Sequence, residues 1–425
     1  MTFKTKLALA VGIAAIAMPA TAQRLGQNRP NDAKPQELST TPDGATTTTA
    51  TTTTGRKIVI SKEAQKAIVA YQTAVNNNDT ANQPALLAEA QKVAKTSDDK
   101  FFIATNQTKA AIAANNLDGI RAGVDAMQAS GGADNADLAL RYADLGNRMI
   151  KANRAAEGAA ALEKSISIDG SNPTALTLLA DAKAKSGDKP AAIALMQKSF
   201  AASAAKGQKV AENNYKFAAG MAFDAKSPAA LGISRSWAEA YPNADSWRAA
   251  VQIYRGINQP RGQQLIDMWR LARANKALRS EADYDSYLGA LVTAGNLAEA
   301  KAVLAEAGQT PGVDLTKTQF KAHAAKAAAA PARAAIDAKA KAAATGAAMI
   351  DAGDAYYGVG AYAEAAAQYQ AALAKGGDAN VANLHLGMAL ARSGDKAGAA
   401  AALAKVTGPN AEIAKYWAAY AASRA

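Results

Sequence analysis

The amino-acid sequence predicts an all-α protein, an α-solenoid of antiparallel helix pairs preceded by a disordered N-terminal tether, on three observations. From residue 61 onward, apolar or alanine positions recur at i, i+3, i+4 and i+7 over segments of about 12–16 residues. Short helix-breaking turns separate these segments, and residues 57–60 form the only strand-like run. Glycines and apolar residues repeat at a spacing of 34 residues. Stacked helix pairs bury a continuous core that no single pair could bury alone.

Residues 1–22 are predicted to be a secretory signal peptide. Two lysines form a positive n-region, residues 7–17 are an apolar run too short to span a bilayer, and residues 20–22 fit the small-x-small cleavage rule. Cleavage would start the mature chain at Gln23 and lower the formal net charge from +12 to +10. An uncleaved anchor or a mitochondrial presequence is the alternative. We expect an exported protein, periplasmic or secreted, with no transmembrane span in the mature chain.

Residues 23–60 are predicted to be a flexible Thr/Pro-rich tether. They are polar, and the threonine run at 46–54 has no apolar alternation from which a core could form. A glycosylated, mucin-like stalk is the alternative for this segment.

Composition narrows the classes of partner and of chemistry. The positive charge favours an anionic partner, such as an acidic glycan, a lipid or a cell-wall surface, and export argues against nucleic acid. A soluble basic protein with evenly spread charge is the alternative. The chain has no cysteine, which excludes disulfides, thiol nucleophiles and thiolate metal sites. Helix packing alone must therefore hold the fold together.

The 34-residue repeat places glycine, alanine and large residues where paired helices need them. In four turns, a glycine is followed by an alanine after five residues and by a large side chain after nine. We expect the glycine to adopt the turn conformation, the alanine to face the partner helix, and the large residue to fill the gap between helix pairs. The turn glycines are Gly187, Gly295, Gly360 and Gly394. Pairs 34 residues apart include Gly353 and Gly387, Tyr369 and Leu403, and Leu162 and Met196.

This pattern resembles the tetratricopeptide repeat family, in an exported bacterial form. Residues 348–381 match the family consensus most closely, with Ala352-Gly353 at its Leu-Gly pair and Tyr356 at its first-helix tyrosine. The last helix, with Trp417 and Tyr420, is similar to the family's solvating cap, the helix that covers the end of the array. The resemblance is good over residues 137–206 and 346–425 and weaker over 61–136 and 207–310.

The helical region is predicted to comprise three parts. An N-terminal array covers residues 61–310, and a C-terminal array with a capping helix covers 346–425. Between them, residues 311–345 are rich in alanine and lysine and carry few large apolar side chains, so they can bury little area. We expect this segment to be a bridging helix or hinge; one continuous array with a poor repeat is the alternative.

Catalytic and metal-binding patterns are not found in the sequence. The two histidines, His323 and His385, lie far apart, and His323 is expected to be solvated. The acid pairs Asp98-Asp99 and Asp351/Asp354 are typical of a solvated helix face rather than of a general acid and base. We therefore predict a protein that is not an enzyme and that has no cofactor.

The resemblance implies a non-catalytic scaffold or adaptor that binds a protein or peptide of the cell envelope in a concave groove. In the family, the first helix of each pair lines that groove. Carried over position by position, the implied contacts are Asp144, Asn147, Lys151, Thr177, Asp181, Lys185, Asp351, Asp354, Tyr357, His385, Met388 and Arg392. The family's subtype that grips a carboxylate is not indicated, because Ala143 and Leu178 replace a lysine and an asparagine of its set.

The alternative function is a glycan- or cell-wall-binding accessory protein of polysaccharide export or envelope assembly. The positive charge supports it, as does a group of aromatic residues that could stack on a sugar ring. These are Trp237, Tyr241, Trp247 and Tyr254. Packing between helices is the other interpretation of the same aromatic residues.

Overall fold

The structure is a computed structural model that describes residues 49–51 and 57–424. This part of the chain forms a two-stranded sheet and 21 α-helices, which confirms the predicted all-α class. The chain divides into two compact units between Asn214 and Tyr215. The predicted signal peptide and most of the predicted tether lie outside the described residues.

The first unit begins with strands β1 (Thr49–Thr51) and β2 (Lys57–Val59), which pair antiparallel. Four helical hairpins follow: α1 (Lys62–Asn76) with α2 (Gln83–Val93), α3 (Ser97–Ala113) with α4 (Leu117–Ser130), α5 (Asn135–Lys151) with α6 (Ala155–Ile168), and α7 (Pro173–Lys185) with α8 (Lys189–Ala205). The division between the units falls near the start of α9 (Glu212–Asp224).

The end of the predicted tether is part of the fold, because its apolar residues reach the core. Ile58 and Ile60 are buried in the same cluster as the side chains of α3. The carboxylate of Asp99 accepts hydrogen bonds from the Ser61 backbone N–H at 2.9 Å and from its Oγ at 2.7 Å. Asp99 also closes a capping box with Thr96 at the start of α3. The expectation that Asp99 is solvated is therefore wrong.

The repeat glycines allow the two helices of a hairpin to approach closely. A Cβ added to Gly353 would lie 2.5 Å from Cε1 of Tyr369, and one on Gly146 would lie 2.7 Å from Cγ of Leu162. The large residue thus packs on the glycine of its own hairpin, whereas we expected it to fill the gap between hairpins. The turn glycines have φ values of 77 to 93°, as predicted. The alanines that follow five residues later are fully buried.

Alanine at Gly353 should destabilise the second unit by about 1–3 kcal/mol, because the added methyl group meets the buried Tyr369 ring. Gly232→Ala is the matched control in α10, a helix of the same unit, where the nearest atom lies 4.0 Å from the added Cβ. That substitution should stabilise by about 0.5–1 kcal/mol through helix propensity. Urea unfolding followed by tryptophan fluorescence measures both, and equal shifts for the two variants would contradict the close approach.

The second unit contains twelve helices after α9. They are α10 (Ala229–Ala240), α11 (Ala244–Asn258), α12 (Gly262–Ala274), α13 (Glu281–Thr293), α14 (Leu297–Ala307), α15 (Thr318–Ala327), α16 (Arg333–Ala342), α17 (Gly346–Gly358), α18 (Tyr362–Ala374), α19 (Ala379–Ser393), α20 (Lys396–Leu403) and α21 (Ala411–Ser423).

Helix α12 is buried on every side. The residues from Ile266 to Ala272 are each at most 2% exposed, which is the behaviour of a central helix rather than of a surface helix with one apolar face. The last helix, α21, closes over it, because Trp417 Nε1 donates to the backbone oxygen of Asp267 at 3.2 Å. Trp417 and Tyr420 are buried in the core cluster of the unit.

The predicted hinge at 311–345 lies inside the second unit rather than between two arrays. Phe320 of α15 and Ile336 of α16 are buried in the core cluster of that unit, so two large side chains suffice to anchor the segment. His323 is also engaged, with Nε2 2.9 Å from Oδ1 of Asp285 and a side chain 16% exposed. The expectation that this histidine is solvated is wrong.

Candidate functional site

The polar residues of α12 form the centre of a buried ionic cluster. Asp267 and Arg270 lie three residues apart, on one face of the helix. The Arg270 guanidinium, 1% exposed, donates to the carboxylate of Glu299 at 2.8 Å and to that of Asp354 at 3.2 Å. Its distance to Asp267 Oδ1 is 3.4 Å. The cluster therefore joins α12 to α14 and α17.

His385 of α19 completes this cluster. Its Nε2 lies 3.3 Å from Asp267 Oδ1. Its Nδ1 lies 3.1 Å from Asp354 Oδ1, but the two atoms are not aligned for a hydrogen bond. Burial alone would lower the pKa of His385, but the carboxylates of Asp354 and Asp267 outweigh burial and raise the pKa from 6.5 to about 10. The imidazole is therefore protonated at neutral pH.

The remaining groups of the cluster are held in their charged or neutral forms in the same way. Burial opposes ionisation of Asp354, but protonated His385 and Arg270 keep its pKa well below the usual range. Burial opposes the charged form of Arg270, but the carboxylates of Glu299 and Asp354 outweigh it and raise the pKa of Arg270. Tyr287 OH donates to Glu299 at 2.5 Å and burial raises its pKa. Each of these shifts moves a pKa further from pH 7, for Asp354, Arg270, His385 and Tyr287 alike. These groups are therefore suited to holding helices together rather than to transferring protons.

Sequence reasoning missed Asp267, Arg270 and Glu299. The sequence contained a signal for Asp267 and Arg270, because both lie among the apolar residues Leu265-Ile266 and Met268-Trp269. A helix with apolar residues all round has no solvated face on which a charge could stay. Charges in such a helix must be buried and paired.

The predicted groove positions of α17 and α19 face α12 in the structure. Asp354 and His385 belong to the ionic cluster, and Met388 is fully buried. Tyr357 is 3% exposed, with the Arg270 guanidinium 4.6 Å from its ring centroid. In the second unit, the face that was predicted to receive a partner is thus occupied by the unit's own helix.

The other two predicted residues of this unit stay at the surface. Asp351 is exposed, and with Asp354 it lines a cavity of about 100 Å³ between α14, α16 and α17. The Arg392 guanidinium is half-buried and lies 4.7 Å from the ring centroid of Tyr362.

Helix α5 of the first unit presents its predicted residues on one face. Asp144, 20% exposed, accepts from Arg148 Nε at 2.7 Å, and Lys151 is exposed. Asn147 is 8% exposed, and its Oδ1 has no hydrogen-bond partner among the described residues. Leu140, 42% exposed, lies on the same face by helical spacing.

Helix α7 lies beside α5 and presents the second predicted set. Thr177 Oγ1 donates to the backbone oxygen of Pro173 at 2.9 Å. Lys185 Nζ lies 2.7 Å from Asp181 Oδ2, and their side chains are 67% and 23% exposed. The predicted residues of α5 and α7 therefore share two neighbouring first helices. We call Leu140, Asp144, Asn147, Lys151, Thr177, Asp181 and Lys185 the α5–α7 face.

The aromatic residues that motivated the glycan alternative pack inside the second unit. Trp247 and Tyr254 are 1% and 3% exposed, and Trp237 is 7% exposed. Trp247 meets the ring of Tyr420 edge-on with centroids 6.2 Å apart, and Tyr254 meets Tyr416 in the same way at 5.7 Å. Packing between helices is the interpretation that the structure supports for these rings.

No helix among residues 57–424 is long and apolar enough to cross a membrane. Within the described part of the chain, no group of three or more His, Asp or Glu residues is arranged to hold a metal ion.

Comparison with known proteins gives only low-scoring matches to solved structures. No protein-family model matches the sequence, and no curated protein matches it. A crystal structure of MamA protein is 14% identical, with 42% of this chain and 92% of that chain covered at a TM-score of 0.30. The C-terminal part of a TPR repeat-containing protein from Cytophaga hutchinsonii is 10% identical, with 60% and 98% covered at 0.31. A tetratricopeptide repeat protein from Parabacteroides merdae is 11% identical, with 76% and 98% covered at 0.27.

These TM-scores are too low to carry an argument about fold or function. The tetratricopeptide-type fold is evident in the chain itself, in the helical hairpins, the left-handed turn glycines and the close approach of glycine to a large residue 16 positions later.

Proposed function

We propose that this chain is a non-catalytic scaffold that binds a protein partner on the α5–α7 face. The observation that carries the proposal is that two neighbouring first helices present partly exposed charged side chains next to Leu140, which is 42% exposed. A partner could bury this apolar side chain, and the charged side chains around it would orient that partner.

The surroundings of Asn147 support a protein partner rather than a small ion. Asp144 and Asp181 are partly exposed, and among the described residues each forms its ion pair with a basic residue one turn along its own helix. Surface pairs of this kind contribute little, so a partner can replace them at small cost. Leu140 adds an exposed apolar side chain of the size that interface cores contain.

The second unit contributes differently to the proposed scaffold. Its equivalent positions Asp354 and His385 are bound to α12, so the partner site belongs to the first unit. We also propose that the chain is exported and that its partner belongs to the cell envelope, because residues 1–22 have the pattern of a signal peptide.

The test is capture of partners from an envelope extract by the mature chain and by two charge-reversal variants. Asp181→Lys should reduce recovery of the specific partner by at least about tenfold, because it replaces an attraction by a repulsion. Glu89→Lys is the matched control, since Glu89 is exposed on α2 and lies outside the α5–α7 face. Both variants should keep the helical circular dichroism of the unaltered chain. Equal recovery of every captured protein by the two variants would refute the proposed face.

A further inference from the structure

We propose that the cavity between α14, α16 and α17 is a binding site for a small zwitterion, a molecule with one ammonium group and one carboxylate group. The cavity lies in the second unit, and the inference goes beyond the proposed scaffold, whose partner site belongs to the first unit. Its starting point is that charged groups of both signs line this cavity. Convergent polar groups in a cavity, one of them with a strongly shifted pKa, are the usual marks of a ligand site.

The α17 wall of the cavity offers carboxylate oxygens to a cation. Asp351 and Asp354 lie one turn apart on this helix and both line the cavity. Asp351 is exposed and forms no ion pair or hydrogen bond within the described part of the chain. Arg270 and Tyr369 both donate to Oδ1 of Asp354, and no described residue donates to its Oδ2. An ammonium group in the cavity would therefore meet carboxylate oxygens that the fold leaves free.

The other two walls offer donors to an anion. Lys339 of α16 lines the cavity, is exposed, and forms no ion pair with any residue that the structure describes. Asn296, at the start of α14, is half-buried and its side chain does not cap that helix. The first N–H groups of α14 lack acceptors within the helix, and the helix dipole adds a partial positive charge there. A carboxylate group in the cavity would accept from Lys339 and Asn296.

The two signs of charge in the cavity select a zwitterion over a simple ion. Lys339 and Asp351 line the cavity from different helices and do not pair with each other. A simple cation would meet the lysine as a like charge, and a simple anion would meet the carboxylates. A metal ion is also disfavoured, because no group of three or more His, Asp or Glu in the described ranges is arranged to hold one.

The size of the cavity limits the ligand to a small molecule. Its volume of about 100 Å³ lies below the roughly 300–1,000 Å³ of sites that take drug-sized ligands. Pro331, Ala335 and Ile336 of α16 supply apolar contacts for the carbon atoms between the two charged groups. A ligand of the size of an amino acid therefore fits the cavity in both volume and charge.

The cavity adjoins the buried ionic cluster, because Glu299 and Asp354 belong to both. A ligand that binds the folded second unit and not the unfolded chain stabilises that unit as its concentration rises. Binding should therefore raise the urea midpoint that the tryptophans of this unit report.

Saturation-transfer NMR titrations of the mature chain measure the binding directly. The probes are L-alanine and 4-aminobutanoate, two zwitterions that differ in the separation of their charges, and methylammonium and acetate, which each carry one of these charges. At least one zwitterion should bind about tenfold more tightly than either single-charge ion, because it makes charge-assisted hydrogen bonds at both ends. The same zwitterion should raise the urea midpoint. Binding of both zwitterions no tighter than that of the single-charge ions would overturn the inference.

Two single substitutions assign the binding to this cavity. Asp351→Asn and Lys339→Gln should each weaken binding of the tighter zwitterion about fivefold, because each removes one charged contact. Both residues are exposed, so the urea midpoint without ligand should stay almost unchanged and a lost fold is not the cause. Asp224→Asn and Lys341→Gln are the matched controls, since these residues are exposed and lie outside the cavity.

The controls should bind the zwitterion as tightly as the unaltered chain. Unchanged binding by both cavity variants, or equal weakening by the cavity variants and the controls, would overturn the inference. Neither result bears on capture of a partner by the α5–α7 face, so the proposed function succeeds or fails separately.

Discussion

Replacing Arg270 by alanine should destabilise the second unit by about 3–5 kcal/mol, the range found when one partner of a buried ion pair is removed. The reason is that Asp267, Glu299 and Asp354 would keep their burial and lose the guanidinium that compensates their charge. A central helix without its main ionic contact would also lose its connection to α14 and α17. This is the largest single-residue effect that we expect in the protein.

Tryptophan fluorescence during urea unfolding measures this effect in the second unit alone. All four tryptophans of the chain, at 237, 247, 269 and 417, lie in that unit. Arg333→Ala is the control, because Arg333 pairs with Asp337 and Glu364 at a surface where its side chain is 50% exposed. The control should leave the unfolding midpoint almost unchanged. A midpoint for Arg270→Ala close to that of the control would show that the buried cluster does not hold the unit together.

His385→Gln should remove a pH dependence of stability that the unaltered chain has. The folded pKa of His385 is raised from 6.5 to about 10, so its stabilising contribution is complete below pH 6.5 and is lost as the pH rises through about 10. The groups facing the imidazole are Asp267 and Gln263 of α12, Asp354 of α17 and Tyr369 of α18. At pH 6 the variant should be less stable by about 3–5 kcal/mol, because two buried carboxylates lose a cation.

The difference in unfolding free energy between the unaltered chain and His385→Gln, measured from pH 6 to pH 10, isolates this titration. Titration of groups that the substitution does not affect is common to both proteins and cancels in the difference. We expect the difference to shrink steadily as the pH rises. A difference that is constant across this range would mean that His385 is neutral in the folded chain.

The repeat could be predicted from the sequence because its causes are local. Gly360 and Gly394 adopt the left-handed turn conformation, and Gly353 leaves room for Tyr369, so each residue type follows from a contact within its own hairpin. Such contacts recur at a fixed spacing and are visible in one sequence. The same repeat pattern located α5 and α7, the first helices of two hairpins, in the sequence.

The filled face of the second unit could not be predicted from spacing. Arg270 and Asp354 are 84 residues apart, and Asp267 and His385 are 118 apart, so no repeat period relates them. Two of the predicted partner-binding residues therefore bind the chain itself. The buried contacts of α12 decide this, and they depend on how α17, α19 and α21 close around it.

Burial of the predicted hinge segment, residues 311–345, is the converse case. A segment of alanine and lysine was expected to bury too little area to join a core, yet Phe320 and Ile336 are enough to hold α15 and α16 on the second unit. Counting large apolar residues underestimated the segment, because Ala327 and Ala340 are also buried in that core cluster.

Site-specific photocrosslinking tests the central claim, that a partner binds the α5–α7 face, most directly. A benzoylphenylalanine placed at Leu140 on that face is compared with one at Val359 in the second unit. The two positions are matched, being exposed large apolar residues at 42% and 41%. In the native host, position 140 should give a discrete crosslinked partner that disappears with Asp181→Lys, and position 359 should not give it. No crosslink at 140, or the same product at both positions, would contradict the account.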